Sequence, residues 1–504
     1  MTRTRSQLFL SAFAAQAGFL TLSPILPDVA AEFETSSAAI GQLRTLSGLA
    51  GGLVALYLFA GTNGPGLRSI LRASLVALLA GSLASAMAPT LAVLVAGQVA
   101  VGGASGGLLT GGIAAAARWP EEHERHSVLT WAIVGQPAAW VVGMPLIGVV
   151  ADTSWRLTWV VLPGAAAVLA LTSLANRSAD VAEAPAQGTR AATPLAGWAS
   201  AEFLAFAAWG GTLVYAGALL RESYSISAGT TGLVLGLGAA TYFLGAAVAN
   251  RSRNWRVHLV LFTFALVLGL VLFGGARPGL GFSAVLFGLL VLAAGTRTTL
   301  ASQFVLEIPA ETRLRASGAR AAAMQFGYLF GAFLGGLAIT IGGFRAMGMA
   351  LAALVALSAV PHVASIARAR RVGALRELYD AGRLGDIAAG KPLFEWRWSQ
   401  EFPDRPPMHE WLGQWRHWSV EPEGWVHGRN RLVVLTRYRG TGRRSGAPID
   451  AHGAHVWAFK RGRPVSVEIF SDPALALASY LNSGAKAGKR PLFSSDFRAL
   501  RARG

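Results

Sequence analysis

Three ionisable side chains lie inside long apolar stretches of the sequence: Arg44, Glu202 and Arg297. A charge held in hydrocarbon costs at least about 2.5 kcal/mol, so such a residue points to an ion pair, a proton relay or a polar solute. Glu202 and Arg297 each stand about six residues in from an end of their stretch. At about 1.5 Å per helical residue both sit roughly 9 Å deep. Equal depth predicts a Glu202–Arg297 pair, acting either as a gate or as a proton or solute site. The competing reading has each chain reach back to the polar surface unpaired. Arg44 stands near the other end of its stretch, and a structural pair with Asp28 is expected. Polar and aromatic residues share helical stripes: Gln136, Trp140 and Gly143 at i, i+4 and i+7, and Glu202, Phe206 and Trp209 likewise. Such stripes suit an amphipathic organic molecule, and they equally suit hydrogen bonding between helices. Gln98 and Gln325 complete the cavity candidates.

The elements that position these groups must cross a bilayer. The chain is 53% hydrophobic and only 14% charged, with 60 Gly in 504 residues, and its mean hydropathy is +0.46. That excludes a disordered chain and an ordinary soluble globule. Twelve apolar spans are legible, near 8–30, 38–60, 70–89, 91–117, 127–150, 157–175, 195–219, 228–249, 257–275, 280–303, 317–342 and 344–367. Bare backbone polar groups cannot stand in lipid, so the spans must be helices. With the N-terminus cytoplasmic, thirteen Arg fall in inner segments, among them Arg68, Arg118, Arg251 and Arg313. Only Arg156, Arg221, Arg277 and Arg345 fall outside. The excess of inner Arg sets the orientation, with both chain ends in the cytoplasm of a multi-pass protein of the cell (inner) membrane. With no Cys there is no disulfide and no thiolate site, and neither metal nor cofactor is expected.

The first 367 residues also repeat themselves. Adding 189 to a position pairs Pro120 with Pro309, Glu122 with Glu311, Gln136 with Gln325, Trp155 with Phe344 and Arg156 with Arg345. Ser36/Ser225, Gly106/Gly295 and Thr110/Thr299 fit the same register. A duplication into halves 1–175 and 195–367, joined by a polar link 176–194, puts a solute site between the halves near the midplane. Gln325 would then face Gln136 across the cavity.

Specific motifs sharpen this. Gly18, Pro24 and Pro27 punctuate the first span, Gly143-Met-Pro145-Leu-Ile-Gly148 the fifth, and Trp155-Arg156 opens the sixth. On these residues the stretch 1–367 resembles the major facilitator superfamily, nearest its drug and sugar efflux branch. The resemblance implies transport of a small organic molecule by alternating access. Departures touch coupling. The loop Gly61-Thr-Asn-Gly-Pro-Gly-Leu-Arg68 lacks the usual acid, as does Asn250-Arg-Ser-Arg-Asn254. Gln98 stands where proton antiporters of the family carry Arg, ahead of Gly102-Gly-Ala-Ser-Gly-Gly107. The family's usual proton machinery is therefore missing, and proton coupling is left to the remaining buried ionisable groups.

After residue 368 the character changes. This part holds all 4 Lys, 20 of the 40 Arg and 13 acids. A helix is expected at 373–389, a strand near 394–398, and a helix over 408–418 with Trp411, Trp415 and Trp418 on one face. Strands are expected near 420–427, 431–440, 448–460 and 463–470, the last two forming a hairpin. By alternation His455, Trp457 and Phe459 share one face and Asp450 and His452 the other, so both His cannot enter one pocket. The element order over 372–483 resembles SnoaL-like proteins of the nuclear-transport-factor-two-like fold, a sheet wrapped into a cone around a small-molecule pocket. The resemblance puts His455 where isomerase members carry a protonated acid and Trp396 near their general base. Trp396 cannot take a proton, so His455, Trp457 and Trp396 become pocket candidates, more for binding or regulation than for catalysis. The basic tail 484–504 suits an anionic membrane surface, and no motif points to nucleic acid.

The expected architecture is an all-α polytopic membrane protein of twelve transmembrane helices in two six-helix halves, with a C-terminal α+β cone-shaped domain. The leading reading is an exporter of a small organic substrate with a cytoplasmic binding domain. Two alternatives stay open: a tail enzyme of cyclase, isomerase or hydrolase type acting on the substrate, and a ligand sensor without transport.

Overall fold

The computed structural model describes residues 2–60, 66–117, 122–175, 195–307, 310–380, 395–399, 405–427, 431–460 and 463–485. Outside them lie the expected link 176–194, the loop 61–65, Pro120, Pro309, the end of the 373–389 helix beyond 380, and the basic tail from 486. The described chain forms two compact units, residues 1–188 with 195–362, and residues 189–194 with 363–504.

Eleven helical segments among the described residues are long and apolar enough to cross a membrane. In chain order the first ten are α1 (Thr2–Leu20) continued by α2 (Leu22–Glu32), α3 (Ser37–Gly41) continued by α4 (Leu43–Ala60), α5 (Leu67–Ala86), α6 (Leu91–Ala117), α7 (Glu122–Ala151), α8 (Trp155–Trp159) with α9 (Ala165–Ala175), α10 (Leu195–Tyr224), α11 (Ala228–Asn250), α12 (Trp255–Gly275) and α13 (Leu280–Glu307). Between α8 and α9 the chain takes a π-helical turn, Val160–Gly164, around Pro163, whose missing N–H breaks the regular ladder. The eleventh segment, Gly318–Asp380, counts 63 residues within α14 (Ala310–Asp380). A straight helix of that length would measure about 95 Å, three times the bilayer core. Instead the backbone leaves helical geometry at Gly342 and Gly343, with φ 66° at Gly343, a left-handed value that glycine alone adopts at little cost. This break falls between the spans read from sequence at 317–342 and 344–367.

Local geometry repeats between the two stretches of chain. A Cβ on Gly106 of α6 would collide with the Gly51 carbonyl of α4, and one on Gly295 of α13 with the Tyr242 carbonyl of α11. Arg156 Nη1 donates to the Ala86 carbonyl at 3.1 Å, and the Arg345 stem lies 3.9 Å from where a Cβ would stand on Gly275, the equivalent helix end. The register is not uniform, however. Glu34 and Ser225 both have positive φ, and two residues further on Ser36 and Ser227 cap α3 and α11, accepting from Ala39 N and Thr230 N. Ser36 therefore corresponds to Ser227, not Ser225. Gly51 and Tyr242 share this offset of 191, so the 189 register holds only after the second apolar span of each stretch.

The second unit is built on a five-stranded sheet. Its strands are β1 (Glu395–Trp398), β2 (Trp415–His427), β3 (Arg431–Gly442), β4 (Pro448–Lys460) and β5 (Arg463–Phe470). Their order is β1-β5-β4-β3-β2, with β1 parallel to β5 and the other pairs antiparallel. Alternation serves two cores. Leu432, Val434, Trp457 and Val467 pack on Leu375 and Tyr379 near the end of α14, while Val433, Leu435 and Val456 pack on Ala476 and Leu477 of α16 (Pro473–Ala485). Both sheet faces are thus covered. The expected helix over 408–418 is cut short: α15 covers Met408–Gly413, and Trp415 and Trp418 belong to β2. Strand pairing wins because the aromatic run after Gly413 finds a ladder partner in Arg437–Gly442. The three indoles still meet, Trp411 lying edge-on to Trp418 at 4.7 Å.

Candidate functional site

Glu202 of α10 is fully buried and accepts from two guanidinium groups. Arg297 Nη1 of α13 reaches its Oε1 at 3.1 Å, and Arg320 Nε of α14 reaches its Oε2 at 3.2 Å. Arg297 Nη2 also lies 3.4 Å from Ser358 Oγ, and buried His362 follows Ser358 by one turn on the same face. One carboxylate thus ties three helices, each oxygen matched to a separate cation, which is the geometry that offsets desolvation of a buried ion. Arg320 was missed in the sequence, although it lies within the apolar span read at 317–342. The signal was present: a third charge stands near the start of an apolar span, and its long stem can reach a buried partner. All these residues lie between 195 and 367, so the cluster joins α10, α13 and α14 within that stretch of chain.

Beside the cluster lies a cavity of about 20 Å³ bounded by Phe206, Trp209, Thr212, Leu270, Arg297 and Thr298. Trp140 packs against Trp209 with centroids 5.7 Å apart and edge-on to Tyr242 at 5.3 Å. The two aromatic stripes expected on α7 and α10 therefore meet. The Arg320 guanidinium lies over Phe206 at 5.7 Å. The glutamines disperse. Gln98 is buried and donates to Ser85 Oγ at 2.9 Å, bridging α6 and α5. Gln325 is set against α4, its Oε1 3.3 Å from where a Cβ would stand on Gly51. Gln136, half-buried on α7, belongs to the helix that packs on α11 through Gly148 and Gly232. Among the described residues no contact brings Gln136 and Gln325 together.

A second set of polar contacts occupies the other end of α10. Asp28 pairs with Arg221, whose Nη2 donates to Oδ1 at 2.8 Å while Nη1 donates to Oδ2. The expected Arg44–Asp28 pair does not form. Arg44 is buried, donates from Nη2 to the Gly18 carbonyl at 2.7 Å, and lies over the Phe19 ring at 5.1 Å. Asp28 is instead within reach of Arg221 at the facing helix end, so the shorter path decides the pairing. Around it Asp152 Oδ1 accepts from the Gly229 N–H at 3.0 Å, Tyr215 Oη donates to the Ala38 carbonyl at 3.4 Å, and Gln42 Nε2 donates to the Ala332 carbonyl at 3.4 Å. These bonds join residues before 176 to residues after 194 and hold that end closed. Glu202 and Arg221 are nineteen residues apart on α10, or about 28 Å, so the buried cluster and the closed end occupy opposite ends of one helix.

The second unit holds a cavity of about 140 Å³ lined by Trp396, Trp398, Arg405, Trp411, Trp418, Tyr438 and His455, among others. Trp396 and His455 thus border it. Trp457 does not sit in that wall: it is buried in the core, its indole N–H donating to Tyr379 Oη at 3.0 Å. His452 borders the cavity too, against the expectation that one histidine alone would, but its Nδ1 lies 2.9 Å from Glu423 Oε2. Burial lowers the His455 pKa to about 3, so its ring is neutral. Burial likewise pushes the Tyr438 hydroxyl up to about 12. At the exposed face Asp450 is held below the usual carboxylate range by its hydrogen bonds from Arg437.

No curated protein sequence matches the chain. Among solved structures, a bacterial homolog of the human lysosomal transporter Spinster, inward-facing and occupied, superposes with a TM-score of 0.56 at 12% identity, over 71% of this chain and 95% of its own. The nucleoside transporter NupG gives 0.56 at 14%, over 72% and 99%. A D-xylose-proton symporter gives 0.56 at 15%, over 70% and 97%. At these identities the likeness is one of fold. The sequence profile of the Major Facilitator Superfamily matches residues 8–305, more than half of the chain. This chain is a multi-pass membrane protein that belongs to the Major Facilitator Superfamily.

Proposed function

We propose that the protein exports a small organic molecule across the cell (inner) membrane by alternating access between two six-helix halves, with both chain ends in the cytoplasm. The observation that carries this reading is Glu202, buried between Arg297 and Arg320 beside an aromatic cavity. An ion cluster at that depth is costly unless it serves binding or coupling, and the aromatic wall suits the apolar body of a substrate. Proton coupling, if the cycle uses it, runs through this cluster, since the first and fourth spans lack the family's usual ionisable groups. The closed end at Asp28–Arg221 supports a state open on the opposite side. Residues 372–483 act as a SnoaL-like domain that binds a small molecule, because the cavity is walled by indoles and a neutral histidine with no acid among the described residues that line it.

The test is an accumulation screen of organic compounds in cells with and without the protein, repeated with Glu202→Gln and with residues 372–504 removed. At least one compound should accumulate less when the protein is present, and Glu202→Gln should restore it. A panel in which no compound responds to the intact protein, while one binds to it in membranes, would replace the exporter with a sensor.

A further inference from the structure

We infer that the cavity of the second unit takes a molecule of about one aromatic ring carrying an oxygen acceptor, which receives a hydrogen bond from His455 Nε2. The inference rests on the reading of residues 372–483 as a ligand-binding domain and specifies what that domain selects.

The size of the site comes first. At about 140 Å³ it matches the roughly 150 Å³ apolar cavity that admits benzene in an engineered protein. Its walls are chiefly flat: Trp396, Trp398, Trp411, Trp418 and Tyr438 surround the space. Aromatic faces prefer another ring stacked with offset or edge-on.

Besides Arg405 and His452 at its border, the cavity draws polarity from a chain of three side chains. The Trp457 indole N–H donates to Tyr379 Oη at 3.0 Å, and the same hydroxyl lies 2.6 Å from His455 Nδ1. Indole can only donate, so the hydroxyl accepts there. Its own proton then has His455 Nδ1 as acceptor. The reverse arrangement, with Nδ1 donating, would leave a buried hydroxyl proton without an acceptor among its described partners, a cost of about 1–3 kcal/mol. Nδ1 is therefore the acceptor, and a neutral imidazole with that nitrogen unprotonated carries its proton on Nε2. His455 is 2% exposed, and Nε2 has no partner among the described residues. Tyr379 is not among the cavity's lining residues, so the committed nitrogen faces the core and the free one belongs to the cavity side. A buried N–H that borders an aromatic-walled cavity asks for one acceptor from the occupant. Carbonyl, phenolic and carboxylate oxygens meet that demand; an ammonium does not.

The test uses the full chain in lipid nanodiscs, read by fluorine NMR against empty nanodiscs. Three probes are compared: para-fluoroacetophenone, para-fluorobenzoate and para-fluorobenzylammonium. The expected result is saturable binding of an acceptor probe at least about tenfold tighter than the ammonium, with the preference lost in His455→Leu. Tyr379→Phe, which removes the fixed tautomer while keeping the ring, should narrow the preference without abolishing binding, and so guards against misfolding of the leucine variant. Equal binding of all three probes overturns the inference but leaves the binding domain standing. No saturable binding of any probe overturns both, and neither outcome touches export, which is read from the accumulation screen.

Discussion

Glu202 and His455 are both buried ionisable residues, and their surroundings give them opposite states. Glu202 has two cations in hydrogen-bond reach and carries its charge inward. Replacing it by Gln leaves two guanidinium groups facing one another in an apolar bundle. The expected loss is about 3–5 kcal/mol, read as a lower unfolding temperature of the purified protein. A double-mutant cycle of Glu202→Gln with Arg297→Gln should return a coupling energy of about 0.5–3 kcal/mol; a value at zero would falsify the pair. His455 has no charged partner and is kept neutral by burial, its pKa falling from 6.5 to about 3. The unfolded chain takes up a proton below about pH 6.5 that the folded unit refuses. The stabilisation is thus complete above pH 6.5 and is lost on acidification toward pH 3, at up to about 1.4 kcal/mol per pH unit. The protection factors of the β3 and β4 amides in the full chain, which divide out the intrinsic pH dependence of exchange, should fall as pH falls through this window, and His455→Gln should flatten that dependence.

Elements are held together by glycine at the helix contacts. Gly106 and Gly295 let α6 and α13 touch the carbonyls of α4 and α11. A side chain at either place must push two backbones apart. Gly106→Val and Gly295→Val should each lower the unfolding temperature and the yield of folded protein, by similar amounts because the two contacts are counterparts. Gly373, with nothing within 4 Å of its Cβ position, should accept Ala and gain up to about 1 kcal/mol from helix propensity. The repeat in sequence pointed to these matching contacts, although it placed the first turn two residues out of register. The cause is local: Ser225 occupies the positive-φ position that Glu34 occupies in the first stretch, and the capping serines follow two residues later. A single fixed offset cannot accommodate a difference in segment length between the two stretches, whereas the backbone shows where the turn sits.

At the scale of the molecule, one end of the bundle is closed by bonds between the two stretches, and α10 links that end to the Glu202 cluster. Asp28→Asn removes the charge from the Asp28–Arg221 pair and should loosen the closed end. The absence of cysteine makes the measurement direct: a single Ser23→Cys, buried in the closed end, should react faster with a water-soluble maleimide in the Asp28→Asn background. Unchanged labelling would remove the pair from any gating role. On the proposed twelve crossings, reporter fusions at the two chain ends should report the same side of the membrane; opposite sides would overturn that count.

The sequence alone determined the membrane helices, their family and the strand pattern of the second unit, because hydropathy and period-two alternation are properties of consecutive residues. It also singled out Glu202 and Arg297, since a charge inside an apolar run is visible without a fold. Tertiary structure alone decided the partners. Arg320 joined Glu202, Arg221 took Asp28 from Arg44, Gln325 was set against α4, and Trp457 left the cavity wall for the core. Pairing depends on which helices pack and how each is rotated, and those are set by close contacts between residues hundreds of positions apart, which no local pattern encodes.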